Sequence, residues 1–168
     1  MIFVTVGTHE QPFNRLIGCM DELKGRNVIQ EEVIMQTGYS TYVPQYCQWK
    51  KMLSYDEMSE NVRNARIVIT HGGPASFFMP LQLGKTPIVV PRQKRYGEHV
   101  NDHQLLFTRT VVERQQNIVL IENITDLEEC ILHYDALVEQ MPRKIKSNNE
   151  NFNVAFEMLV EDLFRQEH

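Results

Sequence analysis

Apolar residues gather in short, nearly unbroken runs at Ile2–Val6, Arg66–Thr70 and Thr86–Pro91, rich in β-branched side chains. Runs that lack a polar alternation predict strands covered on both faces, as in a parallel sheet. Asn117–Ile121 reads as a further strand. Val28–Met35 is interrupted by Gln30, Glu31 and Glu32, so its strand is expected to start near Glu32.

Helical spacing alternates with these runs. Pro12 can open a helix to about Leu23, with Phe13, Leu16, Ile17 and Met20 on one face. Ser54-Tyr-Asp-Glu57 reads as a capping box ahead of Met58, Val62 and Ala65. Pro74 stands where a first helical residue belongs, and Gly84 closes that helix. A helix from about Val100 to Arg114 is expected next. Thr125-Asp-Leu-Glu128 reads as a second capping box, for a helix to about Gln140. A final amphipathic segment spans Phe152 to Phe164, and packing back onto the domain is its expected role. Gly38–Leu53 is the least regular stretch; its Tyr39, Tyr42, Tyr46 and Trp49 suggest a partly exposed excursion such as a hairpin.

Strand–helix alternation of this kind predicts an α/β fold, a Rossmann-like, doubly wound parallel sheet. The 168 residues fit a single domain, with 42% hydrophobic and 23% charged residues. A net charge of −5 argues against a dedicated nucleic-acid binder, which needs a basic surplus for phosphates. No apolar run approaches the length of a membrane span, and Gly7 ends the first run too soon for a signal peptide. The expected compartment is the cytosol. Cys19, Cys47 and Cys130 are widely spaced and odd in number, which fits buried free thiols rather than a disulfide framework or a zinc motif.

Ligands of doubly wound sheets bind beyond the carboxyl ends of the strands, where strand order reverses. Three polar segments follow strands: Gly7-Thr-His-Glu-Gln11, His71-Gly-Gly-Pro-Ala-Ser76 and Arg92-Gln-Lys-Arg-Tyr-Gly-Glu-His99. Gly72 and Gly73 can let the backbone approach a ligand, and the helix opened by Pro74 presents free amides to an anion, with Ser76 as a further donor. The same residues also fit a tight strand–helix turn around a buried histidine. Arg92, Lys94 and Arg95 can neutralise a phosphate, face an anionic lipid surface, or simply be solvated. Asp102 and Gln104 can hold sugar hydroxyls, or cap a helix. His99 and His103 have the spacing of a helical metal pair, but no third ligand is apparent and no metal is expected. P-loop, dinucleotide-fingerprint and nucleophile-elbow motifs are absent.

Ile69-Thr-His-Gly-Gly-Pro-Ala-Ser76, Leu83-Gly-Lys-Thr-Pro-Ile-Val-Val-Pro91 and Asp102-His-Gln104, with the opening Phe3-Val-Thr-Val-Gly-Thr8, resemble the C-terminal domain of family 28 glycosyltransferases. That resemblance spans about residues 1 to 165. It implies one half of a two-domain GT-B transferase, the half that binds a UDP-sugar donor. The short chain is similar to the small donor-binding subunit of split transferases. One such enzyme adds the second N-acetylglucosamine to a dolichol-linked precursor; bacterial ones extend undecaprenyl-linked units for capsule and exopolysaccharide. Gly7 to Phe13 and Arg92 to His99 look like the bacterial exopolysaccharide branch.

By position, the resemblance implies that Gly7 and Thr8 lie near the phosphates, with His9 beside them. Leu53, Ser54 and Tyr55 would hold the uracil. His71, Gly72, Gly73, Pro74, Ala75 and Ser76 would bind the diphosphate, aided by Arg92, while Asp102 and Gln104 would face the donor sugar. His9 and Glu10 are the local candidates for a general base. Relatives often carry a ribose-binding glutamate where this chain has Met79. The implied reaction is inverting transfer with no cofactor, the UDP-sugar being the donor substrate. A membrane-associated acceptor-side subunit and a lipid-linked saccharide acceptor would complete it, so the chain is expected to be peripheral at the inner face of the membrane. The alternatives are a non-catalytic nucleotide-sugar-binding or scaffold module, and a sugar-nucleotide epimerase or hydrolase of related fold.

Overall fold

The computed structural model describes residues 1–142. Six parallel strands form one sheet: β1 (Ile2–Thr5), β2 (Val33–Gln36), β3 (Gln48–Lys50), β4 (Ile67–His71), β5 (Ile88–Val90) and β6 (Val119–Leu120). Their spatial order is β3-β2-β1-β4-β5-β6, so strand order reverses between β1 and β4. The expected doubly wound α/β sheet is therefore the fold observed. The apolar runs behave as two-sided strands. Ile2, Val4, Met35, Ile67, Ile69, Ile88 and Val90 enter one core beneath α1 (Asn14–Gly25), while Phe3 and Val68 pack with Val62 and Ala65 at α2 (Tyr55–Asn64) on the other. Phe77 of α3 (Pro74–Gln82) and Val111 of α4 (His103–Gln115) cover Val89.

The Ser54 capping box forms: Ser54 accepts the Glu57 amide and Glu57 accepts the Ser54 amide. Ser54→Ala is expected to lower stability by about 1 kcal/mol, read from denaturant unfolding. The box expected at Thr125 does not form. Asn123 accepts the Thr125 amide instead, and the expected single helix is split into a short 3-10 turn, α5 (Leu127–Leu132) and α6 (Tyr134–Gln140). The break at His133 lets Tyr134 go under the sheet and donate to the Thr86 carbonyl. The helices α1 and α4 begin two and three residues later than the sequence pattern places them. The amphipathic segment Phe152–Phe164 lies outside the described residues.

The stretch 38–53 is not a hairpin. Residues 39–47 cross the outer face of α1 as an irregular strap, and β3 then adds parallel to β2. Asp21 of α1 holds the strap. Its fully buried carboxylate accepts the amides of Gln45 (2.8 Å), Tyr46 (2.8 Å) and Cys47 (3.0 Å) and the Tyr42 hydroxyl (3.0 Å). The tyrosine rings lie along the helix on either side of Asp21: a Cβ on Gly18 would touch Tyr42 at 3.6 Å, and one on Gly25 would collide with Tyr46 at 2.6 Å. The cysteine expectation holds in that Cys47 and Cys130 are buried free thiols, whereas Cys19 is half-buried.

Candidate functional site

A cleft of about 650 Å³ opens at the carboxyl ends of β1 and β4, where strand order reverses. The loop after β1 lines it with Gly7, Thr8, His9 and Glu10, and the β4–α3 turn with His71 and Gly73 to Ser76. The remaining wall comes from Thr5, Gln36, Met58, Val62, Met79 and Gln104.

His71 organises the centre. Its Nδ1 accepts the Gly73 amide at 3.0 Å, so the proton of the neutral ring sits on Nε2. The imidazole occupies the space two glycines leave. A Cβ on Gly7 would lie 2.4 Å from Nε2, and one on Gly73 2.4 Å from Cε1. Gly7 also has φ +72°, a conformation that side chains other than glycine rarely adopt. Burial, reinforced by the Arg92 charge and by His9 and His99, pulls the His71 pKa down to about 4, against the opposing interaction with the Gln104 side-chain oxygen. At neutral pH the ring is an uncharged donor. A folded-state value below the ordinary 6.5 means that the unfolded chain takes up the proton first as pH falls. His71 therefore stabilises the fold above about pH 6.5, and that contribution is lost between there and about 4. An NMR titration is expected to show the His71 ring neutral at pH 5.5 (an ordinary histidine is mostly charged there).

Beside the ring, α3 begins with Pro74, and the Ala75 amide has no backbone acceptor among the described residues. The helix dipole and that amide make the turn attractive to an anion. The Ser76 hydroxyl is turned back on the carbonyls of His71 (2.8 Å) and Gly73 (2.6 Å), so its proton is already engaged. Gly72 serves packing: a Cβ there would meet the Cβ atoms of Gln104 at 3.0 Å and Pro91 at 3.1 Å. Gln104 lines the cleft, but its Oε1 accepts the amides of Gly72 (3.0 Å) and Arg92 (3.1 Å), pinning the ends of β4 and β5 together.

Several expected site residues stand elsewhere. Arg92 is fully buried and outside the cleft lining. It donates to the carbonyls of Val6 (2.8 Å), Gln11 (2.7 Å) and Glu98 (3.2 Å), so it braces the first-strand loop from beneath. Burial lowers its pKa to about 10 despite Glu98, which leaves it cationic at neutral pH. Arg15 completes the brace by gripping both carboxylate oxygens of Glu98 at 2.8 and 2.9 Å. Asp102 also lies outside the lining; its Oδ1 accepts the Lys94 amide at 2.8 Å. Lys94 and Arg95 are exposed, with Arg95 over the Tyr96 ring. Leu53, Ser54 and Tyr55 are not in the lining either. Leu53 packs near Met58 and Met79, Ser54 caps α2, and Tyr55 is exposed.

His9 hydrogen-bonds Gln11 at 2.9 Å and stacks on His99 with centroids 4.6 Å apart. Glu10 is exposed at the cleft, with no hydrogen-bond partner among the described residues. His99 precedes α4, which starts at His103, so the two do not share a helical face. Among the described residues no group of three His, Cys, Asp or Glu side chains is arranged for a metal. Sequence reasoning missed Thr5, Gln36, Met58 and Val62. Only Thr5 and Gln36, at the ends of β1 and β2, carry a signal, their place at a strand's carboxyl end.

Comparison with known proteins agrees with this architecture. The solved glycotransferase of kitacinnamycin superposes with a TM-score of 0.58 at 16% identity, over 82% of this chain and 36% of that one. The doubly wound sheet is thus the Rossmann-like fold of one GT-B half. The UDP-N-acetylglucosamine transferase subunit ALG13 of Homo sapiens is 32% identical over 113 residues, 62% of this chain. The chain spans only 9% of that relative's length. The model of the glycosyltransferase family 28 C-terminal domain matches residues 1–159. With that match over most of its length, the chain belongs to the family 28 glycosyltransferase C-terminal domains.

Proposed function

We propose that this chain binds the UDP-sugar donor of an inverting glycosyltransferase and acts with an acceptor-side partner. The observation that carries the reading is the neutral His71 ring, clasped between Gly7 and Gly73 beside the N-terminus of α3. Leaving-group departure concentrates negative charge on a diphosphate. The His71 Nε2–H, the Ala75 amide and the helix dipole are fixed donors for that charge, and Arg92 adds a buried positive charge beneath the loop. The family and the relative's name support a UDP-sugar as donor.

The acceptor hydroxyl attacks the anomeric carbon from the opposite face and must lose a proton. Glu10 is the better placed of the two candidate bases, because His9 is already tied to Gln11 and stacked on His99. Met58, Val62 and Met79 give the cleft an apolar wall, so ribose recognition falls to other contacts. The proposed partner is membrane-associated and presents a lipid-linked saccharide, in exopolysaccharide or capsule synthesis at the inner face of the membrane.

The test is sugar transfer from UDP-sugars to an undecaprenyl-linked acceptor, with the chain alone and with its partner. Transfer only in the presence of both supports the reading. Full transfer by the chain alone removes the two-subunit claim. UDP-sugar binding that never yields transfer with any partner would make it a binding module instead.

A further inference from the structure

The aromatic residues of this chain are unevenly placed. Four of its six tyrosines and its single tryptophan fall between positions 39 and 55, a stretch with two lysines and no aspartate or glutamate, in a chain of net charge −5. Tyr42, Val43, Tyr46 and Trp49 are each more than a third exposed, as are Tyr39 and Tyr55. Tyr42, Val43, Tyr46 and Trp49 also share one edge. Trp49 pairs with Met35, whose side chain enters the core beneath α1, so Trp49 points to the α1 side of the sheet. The strap bearing Tyr42, Val43 and Tyr46 crosses that same side, fixed by Asp21. The aromatic edge is therefore anchored through Asp21, yet among the described residues nothing covers it.

Its chemistry distinguishes between occupants. A further strand is a poor fit, because β3 has only three residues, ends on Lys50 and is followed by Lys51, features that blunt a sheet edge. Tyrosine, tryptophan and lysine together match the headgroup layer of a bilayer: rings sit at the apolar boundary, their polar tips stay hydrated, and lysines meet anionic lipid. We propose that the edge formed by the strap and β3 is a membrane-interface surface that rests on anionic bilayers. Lys51, drawn over the Tyr39 ring at 5.1 Å, supplies the charge at its rim, while Lys50 points to the other face and pairs with Glu57 of α2.

Trp49 is a built-in reporter. The full chain is mixed with vesicles of phosphatidylcholine and phosphatidylglycerol in equal parts, with and without lipids brominated near the headgroup end of the acyl chain. Co-sedimentation, a blue shift of Trp49 emission and its quenching by the brominated lipid are expected. Val43→Asp combined with Lys51→Glu leaves the reporter and the cleft in place, and is expected to weaken vesicle binding by about tenfold or more. Circular dichroism and UDP binding of that variant check that it is folded. Vesicle binding that leaves Trp49 unquenched, or that survives in the variant, overturns the proposal. So does the absence of binding, or a blue shift produced by raising protein concentration without lipid, which marks a contact between copies.

Discussion

Gly73→Val is expected to weaken UDP binding by about 30- to 100-fold, ~2–3 kcal/mol, while leaving the chain folded. Gly73 has φ −72° and ψ 133°, which valine adopts without strain. The damage comes from the new Cβ, placed 2.4 Å from the His71 ring, which must leave the position between Gly7 and Gly73. That displacement removes the Gly73–His71 bond and the neutral Nε2–H donor together. Calorimetry with UDP measures the loss, and thermal unfolding verifies the fold. A double-mutant cycle sharpens the test. If Gly73 acts through His71, Gly73→Val costs little further affinity once His71→Ala is present. If the glycine is needed only for ligand approach, the two losses add.

Asp21→Ala is expected to cost about 3 kcal/mol of stability, because it leaves three amides and a hydroxyl without their charged acceptor. The strap should then lift from α1 and uncover Cys47. Burial, with Asp21 beside it, holds that thiol up at about 12 in the intact protein, so it is inert. Faster alkylation of Cys47, read by mass spectrometry, would report the release. The pH dependence has a definite sign. Burial opposes ionisation of Asp21, but the amides of Gln45, Tyr46 and Cys47 and the Tyr42 hydroxyl outweigh it and hold its pKa below 3.8. Its contribution is therefore fully present above the unfolded value and is lost as pH falls through the lower, folded one. The variant should accordingly lack that part of the acid destabilisation.

These two residues also show what the sequence made legible. The His71-Gly-Gly73 turn was readable because it joins a strand end to a proline-opened helix, a local pattern. Its inner logic was not, since the glycines clear space for a histidine ring that also abuts Gly7, from another loop. Nothing in the sequence sets Asp21 apart from the other polar positions of an amphipathic helix. Only the tertiary path of residues 39–47 turns it into a buried anchor, so that stretch and β3 could not be placed from periodicity. Arg92 stands away from its expected place for a related reason. A basic residue after a strand suggests phosphate binding, but here three backbone carbonyls and the nearby Glu98 side chain draw it inward. The core strands, by contrast, were evident from apolar runs alone, because a sheet covered on both faces admits little else.

In the proposed role, a UDP-sugar binds at the cleft through its diphosphate. Titrating the isotope-labelled chain with UDP and following amide shifts tests it most directly. Saturable changes are expected to centre on Gly7, Thr8, Gly73, Ala75 and Ser76 and to be lost in Gly73→Val. No saturable change, or changes centred away from the β1 loop and the β4–α3 turn, would contradict it.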